Sequence, residues 1–299
     1  MNDDALTLRV LRATLLNPLI REFELARPDG GVLPGFEAGA HVRVRVRLAD
    51  GSSDWRHYSL VELSGDAAAR QAPTRYVIAV RREAEGRGGS RHLHEQVAEG
   101  DLLEVQPPKN DFALRPGAGR AVLVAGGIGV TPIASMAAQA HAQGLAVAMT
   151  YAGRSRALMA YLAPLEALLG SALTVHADDE RGGAPLDVDA VLGECAANDV
   201  VNVCGPQVLL DQVLARAQAR GWPRERVRFE LFSAPPAEAG DAAFEVVLKQ
   251  SGATLNVPAD KTLLDCLIEH GCDPLYDCKR GECGVCAVHR LLVYPAPDP

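Results

Sequence analysis

From His41 to Leu48 apolar and polar residues alternate without a break: Val42, Val44, Val46 and Leu48 fall on one face, His41, Arg43, Arg45 and Arg47 on the other. A period of two is that of a half-buried β-strand, and Asp50-Gly51 directly after it predicts a hairpin. The partner strand is expected from about Trp55 to Val61, with further strands at Tyr76 to Val80 and Leu102 to Val105. Strands this short and closely spaced predict a small antiparallel β-barrel over residues 1–112. The arginine row is read as a solvated strand face.

Beyond Pro116-Gly117 the period changes. Ala121 to Ala125 is an unbroken apolar run, as in a buried parallel strand. A glycine-rich turn follows, then helical periodicity from Pro132 to Gln143, then a second run from Ala146 to Tyr151. Val200 to Val203 and Pro206 to Arg220 repeat the strand–helix order, which predicts a parallel α/β domain over 117–232. Residues 233–240, rich in Pro and Ala, have linker composition. In the third unit, 241–299, Phe244, Val246 and Leu248 alternate, Ser251-Gly252 turns the chain and Thr254 to Val257 returns it. Thr262 and Asp265 have capping-box spacing, so a short helix should follow and end near Gly271. A cysteine-rich loop comes next, and Leu291 to Pro299 reads as an unstructured tail.

The chain of 299 residues is long enough to bury a core without staples. Its net charge of -8 argues against nucleic acid as a partner, since phosphates demand a basic face. The start, Met1-Asn2-Asp3-Asp4, is acidic where a signal peptide is basic, and no apolar run reaches the roughly 18 residues of a membrane span. The expectation is a cytoplasmic protein. Five of seven cysteines lie between Cys266 and Cys286, a clustering that points to metal or redox chemistry.

Four segments suit a bound nucleotide or flavin. Gly126-Gly127-Ile128-Gly129-Val130-Thr131-Pro132 joins strand to helix, with Thr131 fitting the N-cap and Pro132 the first helical position; it is a phosphate cradle or a plain structural turn. Arg56-His57-Tyr58-Ser59 puts Arg56 and Tyr58 on one strand face, for a phosphate and a flat ring, or is an ordinary strand. Gly86-Arg87-Gly88-Gly89-Ser90 is a second cradle or a flexible turn. Cys204-Gly205-Pro206 ends a strand where ligands of open α/β sheets bind. Cys195 is read as structural, and His92 and His94 as packed or capping.

The spacing Cys278-x4-Cys283-x2-Cys286 is that of a plant-type [2Fe–2S] loop, with zinc as the alternative. No cysteine follows Cys286; Cys272 and His289 flank the loop.

These motifs, in this order and together with Phe229-Glu230-Leu231-Phe232, resemble the phthalate dioxygenase reductase family, which includes vanillate demethylase reductases. The resemblance runs to about Ala287. It implies an FMN-binding barrel with Arg56, His57, Tyr58 and Ser59 in the flavin motif, Ala79, Val80 and Arg81 lining the flavin, and Gly88, Gly89 and Ser90 at its phosphate. It implies an NADH-binding α/β domain with Gly127, Thr131, Cys204 and Pro206 near the nicotinamide, and Phe229 beside the flavin ring. The third unit resembles a β-grasp ferredoxin whose [2Fe–2S] cluster is held by Cys278, Cys283 and Cys286. Since the family continues to a fourth cysteine, the C-terminus is expected to be truncated. The implied activity is electron transfer from NADH through FMN and the cluster to the oxygenase component of an aromatic-ring oxygenase or O-demethylase. The alternatives are a cluster-less NADH:FMN diaphorase and a zinc-binding interaction module.

Overall fold

The computed structural model describes residues 5–84, 86–115, 120–232, 242–249, 251–272 and 294–295. Its contacts divide the chain into two units, Met1–Phe232 and Ser233–Pro299.

The period-two segments fold as antiparallel strands. β1 (Leu6–Asn17), β2 (Ile20–Ala26), β3 (His41–Arg47), β4 (Ser53–Ser59), β5 (Tyr76–Arg81) and β6 (Leu102–Lys109) lie in the order β4-β3-β6-β1-β2-β5. A bridge between Leu60 and Ile78 joins the two outer strands and closes a barrel. The short helix α1 (Ala67–Gln71) precedes β5 and α2 (Gly89–Glu95) follows it. Val42, Val44 and Val46 are buried with Leu8, Phe23 and Ile78, while Arg45 and Arg47 are exposed as the alternation requires. His41 departs from that pattern: the start of β3 is covered, and the residue is only 5% exposed.

Two features hid part of the barrel from a period-two reading. In β1 the register shifts between Val10 and Arg12, so Leu11 is an extra residue and the buried face changes sides. In β6 the strand runs on through Pro107 and Pro108, which have no N–H to donate and lie opposite the register shift between His41 and Arg43.

The apolar runs become a parallel sheet. β7 (Arg120–Gly126), α3 (Val130–Ala142), β8 (Ala146–Gly153), α4 (Leu162–Leu169), β9 (Leu173–Ala177), α5 (Val188–Gly193), β10 (Val200–Cys204), α6 (Gln207–Ala219) and β11 (Val227–Glu230) follow one another along the chain. The strand order is β11-β10-β7-β8-β9, so the winding reverses between β7 and β10. One face carries α5 and α6 over Val122, Val124, Val201 and Val203. The other packs α3 and α4 and merges with the barrel: Ile20, Ala38, Ala79 and Phe112 share one cluster with Leu123, Ile133, Met136 and Tyr151.

Ser135 in α3 joins the two sheets. Fully buried, it donates to the Leu60 carbonyl at 2.9 Å and accepts from the Glu62 N–H at 3.0 Å, at the strand end where the barrel closes.

In the second unit β12 (Phe244–Val247) pairs with β13 (Thr254–Val257) as expected, and α7 (Leu263–Glu269) packs on β13 with Cys266 and Leu267 buried. Thr262 caps α7 by accepting from the Asp265 N–H at 3.1 Å; its hydroxyl donates to the Asp265 carboxylate at 2.7 Å. Gly271, at φ +78°, ends the helix. The expected tail departs from prediction: β14 (Tyr294–Pro295) pairs with β12, which makes a three-stranded sheet ordered β13-β12-β14. The linker 233–240 and Cys278, Cys283 and Cys286 lie outside the described residues. Among the described residues no helix is long and apolar enough to cross a membrane.

Ser135→Ala leaves one N–H and one carbonyl at the barrel closure without their partner. It should lower the stability of the Met1–Phe232 unit by about 2 kcal/mol, read as a shifted denaturant midpoint at unchanged slope.

Candidate active site

A cleft of ≈ 460 Å³ opens where the parallel sheet reverses its winding, the place where open α/β sheets bind ligands. Its floor is Gly126 at the end of β7, Gly127 and Ile128 just beyond it, and Pro206 after β10; Leu19, Ile20 and Arg81 from the barrel form one wall, and Arg154 and Asp178 the far end. Backbone sets this shape. A Cβ on Gly129 would lie 2.3 Å from the Cys204 carbonyl oxygen, and one on Gly126 would lie 2.7 Å from the Pro206 ring. The turns after β7 and β10 therefore touch main chain to main chain. Gly127 differs: it stands at φ +53° with open space where a Cβ would point. Its carbonyl lies 3.3 Å from the Tyr151 hydroxyl, whose proton burial holds in place by pushing the phenol's pKa up.

A second patch gathers at the barrel surface. Arg56 on β4 and Arg87 in the glycine-rich loop both donate to Oδ2 of Asp54, Arg87 at 2.7 Å. Gly88 adopts φ +103°, and a Cβ on Gly89 would meet Val46 at 2.8 Å and the Arg56 stem at 3.5 Å. The loop thus lies flush on β3 and β4, packed too closely to admit a side chain at Gly88 or Gly89. Ser90 Oγ accepts from the Glu83 N–H at 3.0 Å, which leaves its proton to donate. Two guanidiniums, a hydroxyl and a glycine-rich loop fit a phosphate monoester.

A polar link runs from β3 and β4 of the barrel to Glu230 at the end of β11. Ser59 Oγ approaches Glu230 Oε2 at 3.5 Å, His41 Nδ1 lies 3.9 Å from Glu230 Oε1, and the His41 and His57 rings meet edge to face at 4.8 Å. Beside the cleft, Tyr161 donates to Glu22 of β2 at 2.5 Å and Asn17 to the Leu158 carbonyl at 3.2 Å, tying the sheet's loops to the barrel. Burial and the Glu22 carboxylate hold the Tyr161 phenol protonated.

The structure brings together Gly127, Pro206 and Arg81 in the cleft and Arg56, Gly88, Gly89 and Ser90 in the patch, with Ser59 and His57 on the link. Several expectations change. Thr131 is not the N-cap: α3 begins at Val130 after a 3-10 turn, and the Thr131 hydroxyl bonds back to the Ile128 carbonyl at 3.0 Å. Val80 turns into the barrel core and offers only backbone to its surroundings, with its carbonyl bonded to His94, whereas Tyr58 is half-buried and packs against that core from the strand face it shares with Arg56. Ala79, its neighbour, joins the cluster shared with the sheet, as does the fully buried Cys204. Phe229 packs on the α6 face with Val203 and Leu210, whereas Phe232 packs on the barrel side with Ile20 and Ala79. His41, Glu230 and Phe232 are the residues that sequence reasoning passed over. A histidine closing an otherwise arginine-lined strand face was the available signal for the first.

Comparison with known proteins fits this layout. The family described as the 2Fe-2S iron-sulfur cluster binding domain matches residues 246–293, which include the three loop cysteines. The phthalate 4,5-dioxygenase oxygenase reductase subunit of Pseudomonas putida is 38% identical over 294 residues, covering 97% of this chain and 87% of that protein. The chain belongs to the phthalate dioxygenase reductase family. The vanillate O-demethylase oxidoreductase of Pseudomonas putida, another relative, is 38% identical over 92% of this chain and 84% of its own length. The solved phthalate dioxygenase reductase, described as a modular structure for electron transfer from pyridine nucleotides to [2Fe-2S], superposes with a TM-score of 0.72 at 35% identity, covering 95% of this chain and 86% of that one. Like these reductases, the chain is an oxidoreductase with a barrel, a parallel-sheet domain and a ferredoxin-type unit.

The two glycines of the β7 turn should respond differently to alanine. Gly129→Ala drives a methyl into the Cys204 carbonyl and should cost about 3 kcal/mol or more. Gly127→Ala meets only the left-handed penalty of about 1 kcal/mol. Urea unfolding of both variants measures the contrast.

Proposed function

We propose that this chain is the reductase component of an oxygenase system, carrying electrons from NADH through FMN to a [2Fe–2S] cluster and on to a separate oxygenase component. The observation that carries this reading is the cleft at the reversal of the parallel sheet, walled on one side by the barrel that bears the arginine–glycine patch. FMN, when bound, takes up a hydride and gives out electrons singly, which matches a two-electron donor to a one-electron cluster.

The chain's own residues bind and orient. Arg56, Arg87, Gly88, Gly89 and Ser90 hold the flavin phosphate. Gly127 would let the nicotinamide approach the backbone, Pro206 fixes the adjoining turn, and Ile20 and Ile128, which line the same cleft, would keep water from the reacting face. No side-chain acid or base is needed for hydride transfer. Asp178, which shares the far end of the cleft with Arg154, is the carboxylate there that would accept hydrogen bonds from a ribose diol and repel a 2′-phosphate, and the preference for NADH over NADPH rests on it. Cys278, Cys283 and Cys286 supply thiolates to the cluster. The electron acceptor is the oxygenase component of an aromatic-ring oxygenase or O-demethylase, the kind of system that the relatives' names describe. The setting is the cytoplasm, where the clustered cysteines stay reduced for cluster binding.

Anaerobic NADH should bleach the flavin of the purified protein, and low-temperature EPR of that sample should show the rhombic signal of a reduced [2Fe–2S] cluster. A flavin that NADH leaves oxidised would overturn the reading. Bleaching without a cluster signal would make the chain an NADH:FMN diaphorase. Asp178→Ser should raise the NADPH-to-NADH ratio of kcat/KM about tenfold by removing roughly 1.4 kcal/mol of discrimination.

A further inference from the structure

Asp54 has no part in the reading above, yet it occupies the centre of the arginine patch. Its Oδ1 accepts from the Trp55 N–H at 2.8 Å, which turns Oδ2 toward the guanidiniums of Arg56 and Arg87. Arg56 is held a second time by the Trp55 carbonyl at 3.0 Å. Two arginines from different segments, one on β4 and one in the loop before α2, thus converge on a single carboxylate oxygen. Burial of Asp54 works against its charge, but the guanidiniums outweigh that and hold the carboxyl below its usual range, so it is ionised at neutral pH.

We infer that Asp54 is a built-in competitor for the flavin phosphate: it gathers Arg56 and Arg87 into one place and must share them when FMN binds, so it sets how tightly the protein holds FMN. The inference rests on the FMN reading of this patch. A phosphate monoester carries nearly two negative charges at neutral pH. It needs the same guanidinium protons that Asp54 holds, and two anions around a pair of cations repel each other. Arg87 is mostly exposed and Arg56 partly so, which limits how much order the carboxylate adds. Charge repulsion therefore outweighs pre-positioning, and removing the charge should tighten FMN binding. Asp54 is a positioning residue that acts through the arginines.

The test is flavin dissociation from the full-length holoprotein on dilution, followed by flavin fluorescence, with FMN and with riboflavin exchanged in its place. Riboflavin has the ring but not the phosphate. Asp54→Asn should bind FMN about tenfold more tightly, equivalent to ~1.4 kcal/mol, with a steeper loss of affinity as salt rises, and should bind riboflavin as the unaltered protein does. In an Arg87→Gln background the gain should shrink, because less cation remains to be shared. FMN affinity that is unchanged or weaker in Asp54→Asn overturns the inference, as does an equal shift for FMN and riboflavin. An unaltered protein that holds neither flavin instead overturns the FMN reading itself.

Discussion

The turns after β7 and β10 meet without side chains between them, and the rest of the site depends on that approach. Gly129 faces the Cys204 carbonyl and Gly126 faces Pro206, each at a distance that admits no Cβ. Because winding reverses between these strands, no crossover helix covers their ends, and the gap above them becomes the cleft. The same contact fixes where Gly127 stands, and Tyr151 beneath it anchors the turn from the next strand. A looser contact would leave the cleft floor free to shift, and positioning is what a hydride donor and acceptor require.

The barrel contributes a wall and a charge pattern rather than a catalytic acid or base. Its polar residues divide by location. Arg56, Arg87 and Asp54 sit at a half-exposed surface where charges exchange partners at modest cost. His41, Ser59 and Glu230 lie in the interior between barrel and sheet, where any change of charge has to be matched by a neighbour. An anion entering from solvent therefore meets the first group before the second.

Much of this was legible in the chain. The Val42, Val44, Val46 alternation and the run from Ala121 to Ala125 gave the correct element types because one face, or both, is buried along their whole length. β1 was not legible, since the extra residue at Leu11 moves its apolar residues from one face to the other in mid-strand. The glycine turns could be located but not sorted. Only the fold separates Gly129, which is small because a backbone lies against it, from Gly127, which is small because of its dihedral angle. Phe229 and Phe232 are three residues apart at the end of β11, and nothing in their spacing tells which packs on the barrel side. Asp54 was invisible for another reason: Asp-x-Arg on a strand becomes a shared ion pair only when a distant loop delivers Arg87.

The buried hydroxyl of Ser135 bears on how such proteins recombine. The barrel's seam is a single bridge at Leu60, and the atoms beside it are held by a helix belonging to the parallel sheet. A barrel transplanted without that helix would carry an open seam, and a sheet domain transplanted alone would carry a polar knob on an apolar face. Hybrid reductases should therefore be cut at the boundary after Phe232, where the contacts already divide the chain, and the first two sheets moved as one inherited piece.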